Sequence, residues 1–270
     1  MPKFHIPALF LPLCLGLYSV PAYPAEAAGN TMNRQELRSL LRELLKEDPG
    51  LVLDVLRDHS EFVLDVAQQG ADLRREKMLQ AQWRQDLTKP KNILLENRPT
   101  LGPAEAQVTI AVFTDFTCVY CQQAEQTIKR LLQVYAGKVR VVYKYMPMRS
   151  HPGALEAAEL MLAAYRMDKQ KSWEVFDTFF ANRTKILSNE GQTFMRAIIT
   201  EKSLDLNKLL TEAQSVSVQG LLAEDESDAK TLQFDGTPSF LVNNLVIRGA
   251  LQENFFRQAV DLALAEAAKK

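Results

Sequence analysis

Apolar positions along this chain change period several times, and each change marks a different kind of element. From Asn33 to about Leu87 they fall three and four apart: Leu37, Leu40, Leu41, Leu44 and Leu45, then Leu51, Val52, Val55 and Leu56, then Phe62, Val63 and Val66. That spacing gathers them on one face of successive helices. Asn33 and Glu36 have capping-box spacing, and Asp48-Pro49 offers the N-cap and first position of a second helix. After Gly70 the stretch Asp72 to Asp86 is mostly charged, with Leu73, Met78, Leu79 and Trp83 as its anchors. So few apolar residues cannot enclose a core of their own, so the apolar face is expected to be covered by the rest of the chain or by another copy. Self-association is the expectation for this segment, residues 28–90, with the charged helix as a spacer.

Beyond Pro90 the text turns to strands. Asn92 to Glu96 reads as a short one, and Val108 to Asp115 as a nearly continuous apolar run of the kind buried on both faces. Cys118 to Tyr135 is expected as a helix ended by Gly137, and Val139 to Met146 as a third strand, completing a β-α-β unit. Between Pro152 and Phe234 only helical spacing is found: Ala154 to Arg166, Ser172 to Asn182, Gly191 to Glu201, and Leu206 to Leu232 with a break near residues 215–220. Strands return at Ser239 to Val242 and Leu245 to Arg248, a hairpin across Asn243-Asn244, and Gln252 to Ala268 closes as a helix. The expected architecture is α/β, one domain over residues 91–270 interrupted by a helical insertion at about 152–234.

Composition narrows the function. A formal charge of -1 gives no electrostatic case for nucleic acid, and no P-loop, GxGxxG or repeat is present, so no nucleotide or other cofactor is expected. Lys3, the apolar run Ile6 to Val20 and Ala25-Glu26-Ala27 read as a cleaved export signal over residues 1–27, which sends the mature protein to an oxidising compartment. Pro7, Pro12 and Pro21 speak against a spanning helix, and bulky Leu13 before Cys14 against lipidation. Cleavage removes Cys14 and leaves Cys118 and Cys121 as the only cysteines. In an oxidising compartment a bridge over two residues staples almost nothing, so this pair is expected to do chemistry.

A helix opening at Cys118 aims its unsatisfied N–H groups and positive dipole end at that sulfur, favouring thiolate. Such motifs bring the thiol from about 8.5 to between about 3.5 and about 7. Cys118 is therefore the expected attacking thiol and Cys121, one turn in and more buried, the resolving one, with Val119 and Tyr120 tuning the potential. Structural zinc needs four ligands, and the chain offers no second cysteine pair and only His5, His59 and His151, so no metal is assigned. Two thiolates, above all with those of neighbouring copies, suit Cu(I), which stays open as an alternative. Gly236-Thr237-Pro238-Ser239 opens the late strand, and a cis bond there would leave the Thr237 backbone free to pair with an extended substrate beside Cys118.

With these residues the chain resembles the Dsb family of bacterial envelope thiol-disulfide oxidoreductases, in the DsbA-type layout of a thioredoxin fold with a helical insertion, over about residues 92–268. The resemblance implies that Pro238 is cis and faces the C-x-x-C pair. Val112-Phe113-Thr114-Asp115, Thr117-Cys118, Tyr120 and Thr237 are closer to the isomerase DsbC than to the oxidase DsbA. Leu40 to Leu56, with Asp48-Pro49-Gly50 inside, resembles the oligomerisation segment of the copper-tolerance ScsC proteins. Two departures stand out: Val119 replaces the usual Gly or Pro, and Val112 occupies the position where many thioredoxin-like proteins bury an acid that assists the resolving cysteine. Asp115 is read either as a substitute for that acid or as a surface, helix-favouring carboxylate. His151 reads as a loop histidine, Met146 and Met148 as packing, and Phe113, Phe116, Phe176, Phe179 and Phe180 as core. The function implied is a homo-oligomeric protein-disulfide isomerase or reductase, with a DsbA-like oxidase as the alternative. Its partners would be exported proteins carrying disulfides or free thiols, and a membrane redox protein.

Overall fold

A computed structural model describes residues 33–269, so the expected export signal and Cys14 lie outside the described residues. Contacts divide the chain into two compact units that meet between Ala67 and Gln68. In the first, α1 (Arg34–Glu47) opens with the capping box: Asn33 Oδ1 accepts from the backbone of Gln35 and Glu36, and Glu36 accepts from the Asn33 N–H. The second helix, α2 (Gly50–Asp58), starts one residue later than expected, because its first i+4 bond runs from the Leu53 N–H to Pro49 O and makes Pro49 the cap. The Asp48 carboxylate still accepts from the Gly50 N–H. No residue of either helix is buried; Leu40 is 50% and Leu44 47% exposed. From Ser60 the helix α3 runs to Leu87.

The second unit is built on a five-stranded sheet. Its strands are β1 (Thr100–Leu101), β2 (Val108–Thr114), β3 (Val139–Tyr145), β4 (Ser239–Val242) and β5 (Leu245–Arg248), in spatial order β1-β3-β2-β4-β5. Only β2 and β3 run parallel, joined by α4 (Val119–Val134). Central β2 is covered on both sides, as its unbroken apolar run requires. Ile110 and Val112 face the main core, while Ala111 and Phe113 pack with Phe234, Leu241 and Val246. The insertion comprises α5 (Ala154–Met167), α6 (Lys169–Ala181), α7 (Arg183–Ile186), α8 (Gly191–Glu201), α9 (Leu206–Ala213) and α10 (Val216–Thr231), and α11 (Glu253–Ala267) ends the fold. Ser215 caps α10, which is where the expected break falls. Trp83, from the end of α3, is buried and donates its indole N–H to Val246 O at 3.0 Å.

One expectation needs correction. Asn92–Glu96 is not a strand: the Leu94 N–H donates to Asp228 and Leu94 O accepts from Lys144, so charged side chains take the place of a backbone partner. The edge strand is Thr100–Leu101, antiparallel to β3. Lys144, which alternation assigns to the face opposite Tyr143, is wholly buried between Asp225 and Asp228, 2.8 and 2.7 Å away. Arg98, also buried, pairs with Asp225 and Glu224. No described helix is long and apolar enough to cross a membrane.

Candidate active site

The C-terminal end of β2 delivers the site. Phe113 pairs with Ser239, so the segment just before β4 lies alongside the turn by which β2 hands over to α4. Cys118 is the N-cap of α4, with extended backbone angles, and its carbonyl accepts the first helical bond from the Gln122 N–H. The Thr237-Pro238 peptide is cis, and the Cys118 thiol donates to Thr237 O at 3.4 Å. Cys121 follows one turn in. Both thiols are free, Cys118 7% and Cys121 2% exposed, whereas Val119 and Tyr120 between them lie largely open. The structure thus brings Cys118, Cys121, Thr237 and Pro238 together, with Val119 and Tyr120 on the rim.

Charge on the two sulfurs is divided unequally. A hydrogen bond from the Cys121 thiol does most to draw Cys118 from 9.0 down to about 5; burial opposes it, and the backbone N–H groups of Cys121 and Tyr120, with the Thr237 side chain, add to it. The Thr237 hydroxyl is buried and otherwise without a hydrogen-bond partner. Burial first, then its role as donor to Cys118, pushes Cys121 far upward. The environment thus favours thiolate at Cys118 and thiol at Cys121.

Asp115 is neither a surface carboxylate nor a free buried acid. It is 2% exposed, and its oxygens accept from Thr117 N and Oγ1, Met148 N and His151 Nδ1 at 2.6–3.0 Å. Its carbonyl takes the Cys118 N–H at 3.1 Å. Asp115 is a clamp on the turn, and His151, read as a plain loop residue, is part of it. From the insertion, Arg183 donates to Thr117 O and Gln122 of α4 donates to Phe180 O. Phe116 sits in a ring cluster with Tyr145, Phe176, Phe179 and Phe180.

Val112 leaves that position apolar, and the buried acid of α4 is Glu125. It lies one turn beyond Cys121 on α4, both oxygens accept from the Tyr143 hydroxyl at 2.9 and 3.0 Å, and burial raises it from 4.5 to about 7. A carboxylate on a face otherwise made of Cys121, Ala124 and Ile128 was the available signal. Unfolded, this carboxyl loses its proton near 4.5, and folded only near 7, so its burial costs stability as pH rises through that window. Glu125→Gln is expected to leave stability at pH 4 unchanged and to raise it at pH 8 by up to about 3 kcal/mol, read by urea denaturation at the two pH values.

Comparisons with known proteins give the chain a family. A family model described as thioredoxin matches residues 95–262, more than half of the chain, and the protein belongs to that family. Within it, the likeness is to thiol-disulfide oxidoreductases of the Dsb type. A probable disulfide bond formation protein D of Bacillus cereus is 27% identical over 53% of this chain and 69% of its own length. A thioredoxin-like oxidoreductase from Silicibacter pomeroyi superposes with a TM-score of 0.56 at 29% identity, covering 63% of this chain and 94% of that one. Proteus mirabilis ScsC in a compact conformation shares the fold, with a TM-score of 0.56 at 20% identity over 82% of this chain and 99% of that one. A protein named Na(+)/H(+) antiporter NhaA 3 from Salinispora tropica is 31% identical over 62% of this chain; the match spans 24% of its length, about a quarter. Among the described residues no group of three or more His, Cys, Asp and Glu is placed to hold a metal ion.

Proposed function

We propose that this protein is exported to the periplasm and acts there as a protein-disulfide isomerase and reductase. The carrying observation is an acidic Cys118 at the head of α4, beside Thr237 O and with the protonated Cys121 behind it. The Cys118 thiolate attacks one sulfur of a substrate disulfide; the S–S bond breaks, a mixed disulfide forms, and the other substrate sulfur leaves as a thiolate. If that thiolate attacks a different disulfide of the same substrate, and a substrate thiolate finally displaces Cys118, the outcome is isomerisation. If Cys121 instead gives up its proton and attacks Cys118, the substrate leaves reduced and the pair is oxidised, to be reduced again by a membrane redox partner. The backbone of Thr237 pairs with the extended substrate during both steps.

The half-exposed leucines of α1 and α2 support assembly into a homo-oligomer, which sets several thiolates around one substrate and raises their local concentration. Purified reduced protein is expected to reactivate scrambled ribonuclease, and a form lacking residues 33–67 to be monomeric and to lose most of that activity while still reacting with oxidised glutathione. Failure of the whole chain to reactivate ribonuclease, or an unaltered truncated form, sinks the isomerase reading. The acidity of Cys118 favours a second reading, a DsbA-like oxidase, because a stabilised thiolate makes its disulfide more oxidising. A reduction potential near about -120 mV would mark a donor of disulfides, and a lower one a reductase or isomerase.

A further inference from the structure

We infer that His151 is a positioning residue for exchange at Cys118, acting through Asp115; this rests on the thiol-disulfide reading above. Asp115 opens the turn Asp115-Phe116-Thr117-Cys118, and its carbonyl holds the Cys118 N–H at 3.1 Å. Its side chain has no exposed surface, so its lone pairs need donors from the protein. Thr117 supplies Oδ1 from within the turn, with its N–H at 2.7 Å and its hydroxyl at 2.6 Å. The other oxygen, Oδ2, depends on the segment after β3, with the Met148 N–H at 3.0 Å and His151 Nδ1 at 2.9 Å. A carboxylate only accepts, so Nδ1 carries the hydrogen. Among the described residues, His151 is the one side chain from outside the turn that binds Asp115.

The backbone around His151 is fixed by a turn of its own. Its N–H donates to Met148 O at 2.9 Å and its carbonyl accepts from the Ala154 N–H at 3.3 Å, where Gly153 takes the left-handed φ of 73° that lets α5 begin. The imidazole is 34% exposed, so the core does not need it as filling. What it changes is the charge beside the nucleophile. A carboxylate three residues from Cys118 opposes the thiolate, and each donor that Asp115 accepts draws down that opposition. Without His151, Oδ2 keeps only the Met148 N–H, and the carboxylate pushes harder against the sulfur. Arg183 of α7 holds the same turn independently by donating to Thr117 O at 3.2 Å, which keeps the backbone in place when His151 is changed. Loss of His151 therefore acts on the charge of Cys118 more than on the fold.

The readouts are the iodoacetamide reactivity of Cys118 against pH and the reduction potential against glutathione, both in the full chain, with urea denaturation to follow the fold. His151→Leu is expected to move the midpoint of the reactivity profile upward by about one pH unit, a tenfold loss of acidity. The reduced form loses that stabilisation, so the potential should fall by about 30 mV. His151→Asn, whose Nδ2 can donate from the place of Nδ1, should restore both values. In an Asp115→Asn background His151→Leu should add no further shift, because the two changes act through one contact. A His151→Leu protein that unfolds earlier in urea yet keeps the wild-type midpoint and potential would make the residue merely structural and overturn the proposal. A His151→Asn protein as altered as His151→Leu would assign the imidazole a proton-transfer role of its own and overturn it as well, and so would a full second shift in the Asp115→Asn background. A wild type that does not react with oxidised glutathione, while its iodoacetamide profile responds to these changes as expected, would instead sink the thiol-disulfide reading and leave the action of His151 on Cys118 standing.

Discussion

Cys118→Ser is expected to abolish thiol-disulfide exchange, lowering the rate with oxidised glutathione by at least about a thousandfold, because no other thiol of the described chain is both acidic and within reach of solvent. Cys121→Ala should behave differently. The first attack survives, but nothing resolves it, so mixed disulfides with client proteins accumulate and are seen as adducts by mass spectrometry. The same replacement removes the S–H donor that contributes most to holding Cys118 near 5, so the midpoint of its iodoacetamide reactivity should rise toward 9.0. In the wild type the folded thiolate persists down to about 5 while the unfolded thiol titrates near 9.0. Its interactions therefore stabilise the reduced fold fully above the higher value, and that contribution is lost as pH falls through the lower one. A Cys121→Ala profile with its midpoint still near 5 would place the source of acidity in the helix N–H groups and dipole alone.

What could be read from the sequence was whatever rests on local chemistry. The hairpin Ser239–Val242 with Leu245–Arg248 came from alternation around Asn243-Asn244, and the start of α4 from the turn into Cys118. The juxtaposition of Thr237-Pro238 with Cys118 was legible only through a family resemblance, since 119 residues separate Thr237 from its partner and no local pattern encodes the register of β4 on β2. Interactions set by the tertiary fold were misread. Nothing local to the third strand foretold that the insertion brings Asp225 and Asp228 over Lys144. Asp115 was weighed as a proton carrier or a surface acid because the donors that surround it, Met148 and His151, lie more than thirty residues away. Asn92–Glu96 has strand composition, but charged side chains satisfied its backbone before a neighbouring strand could.

The cluster around Lys144 gives the largest expected loss of stability. Asp225 is fully buried, pairs with both Lys144 and Arg98 at 2.8 Å, and also accepts the Tyr145 N–H at 2.8 Å, so it fastens α10 of the insertion to the last residue of β3. Burial raises the Asp225 carboxyl above its usual value against the pull of Lys144 and Arg98, whereas at Arg98 burial is outweighed by the pull of Asp225 and Glu224, which raises the guanidinium. Such a cluster adds little net stability but is costly to break on one side. Asp225→Ala leaves Lys144 without one of its two carboxylates in the core, and should lower the unfolding free energy by about 3–5 kcal/mol. Lys144→Met combined with Asp225→Leu, which removes the central pair together, should cost clearly less than the sum of the two single changes. Chemical denaturation of the four proteins tests this, and additive losses would disprove it. Because Tyr145 stacks on Phe116, two residues before Cys118, loosening its backbone anchor should also slow glutathione reduction in whatever Asp225→Ala protein remains folded. The insertion thereby acts through the end of β3, as the frame that keeps the turn carrying Cys118 in place.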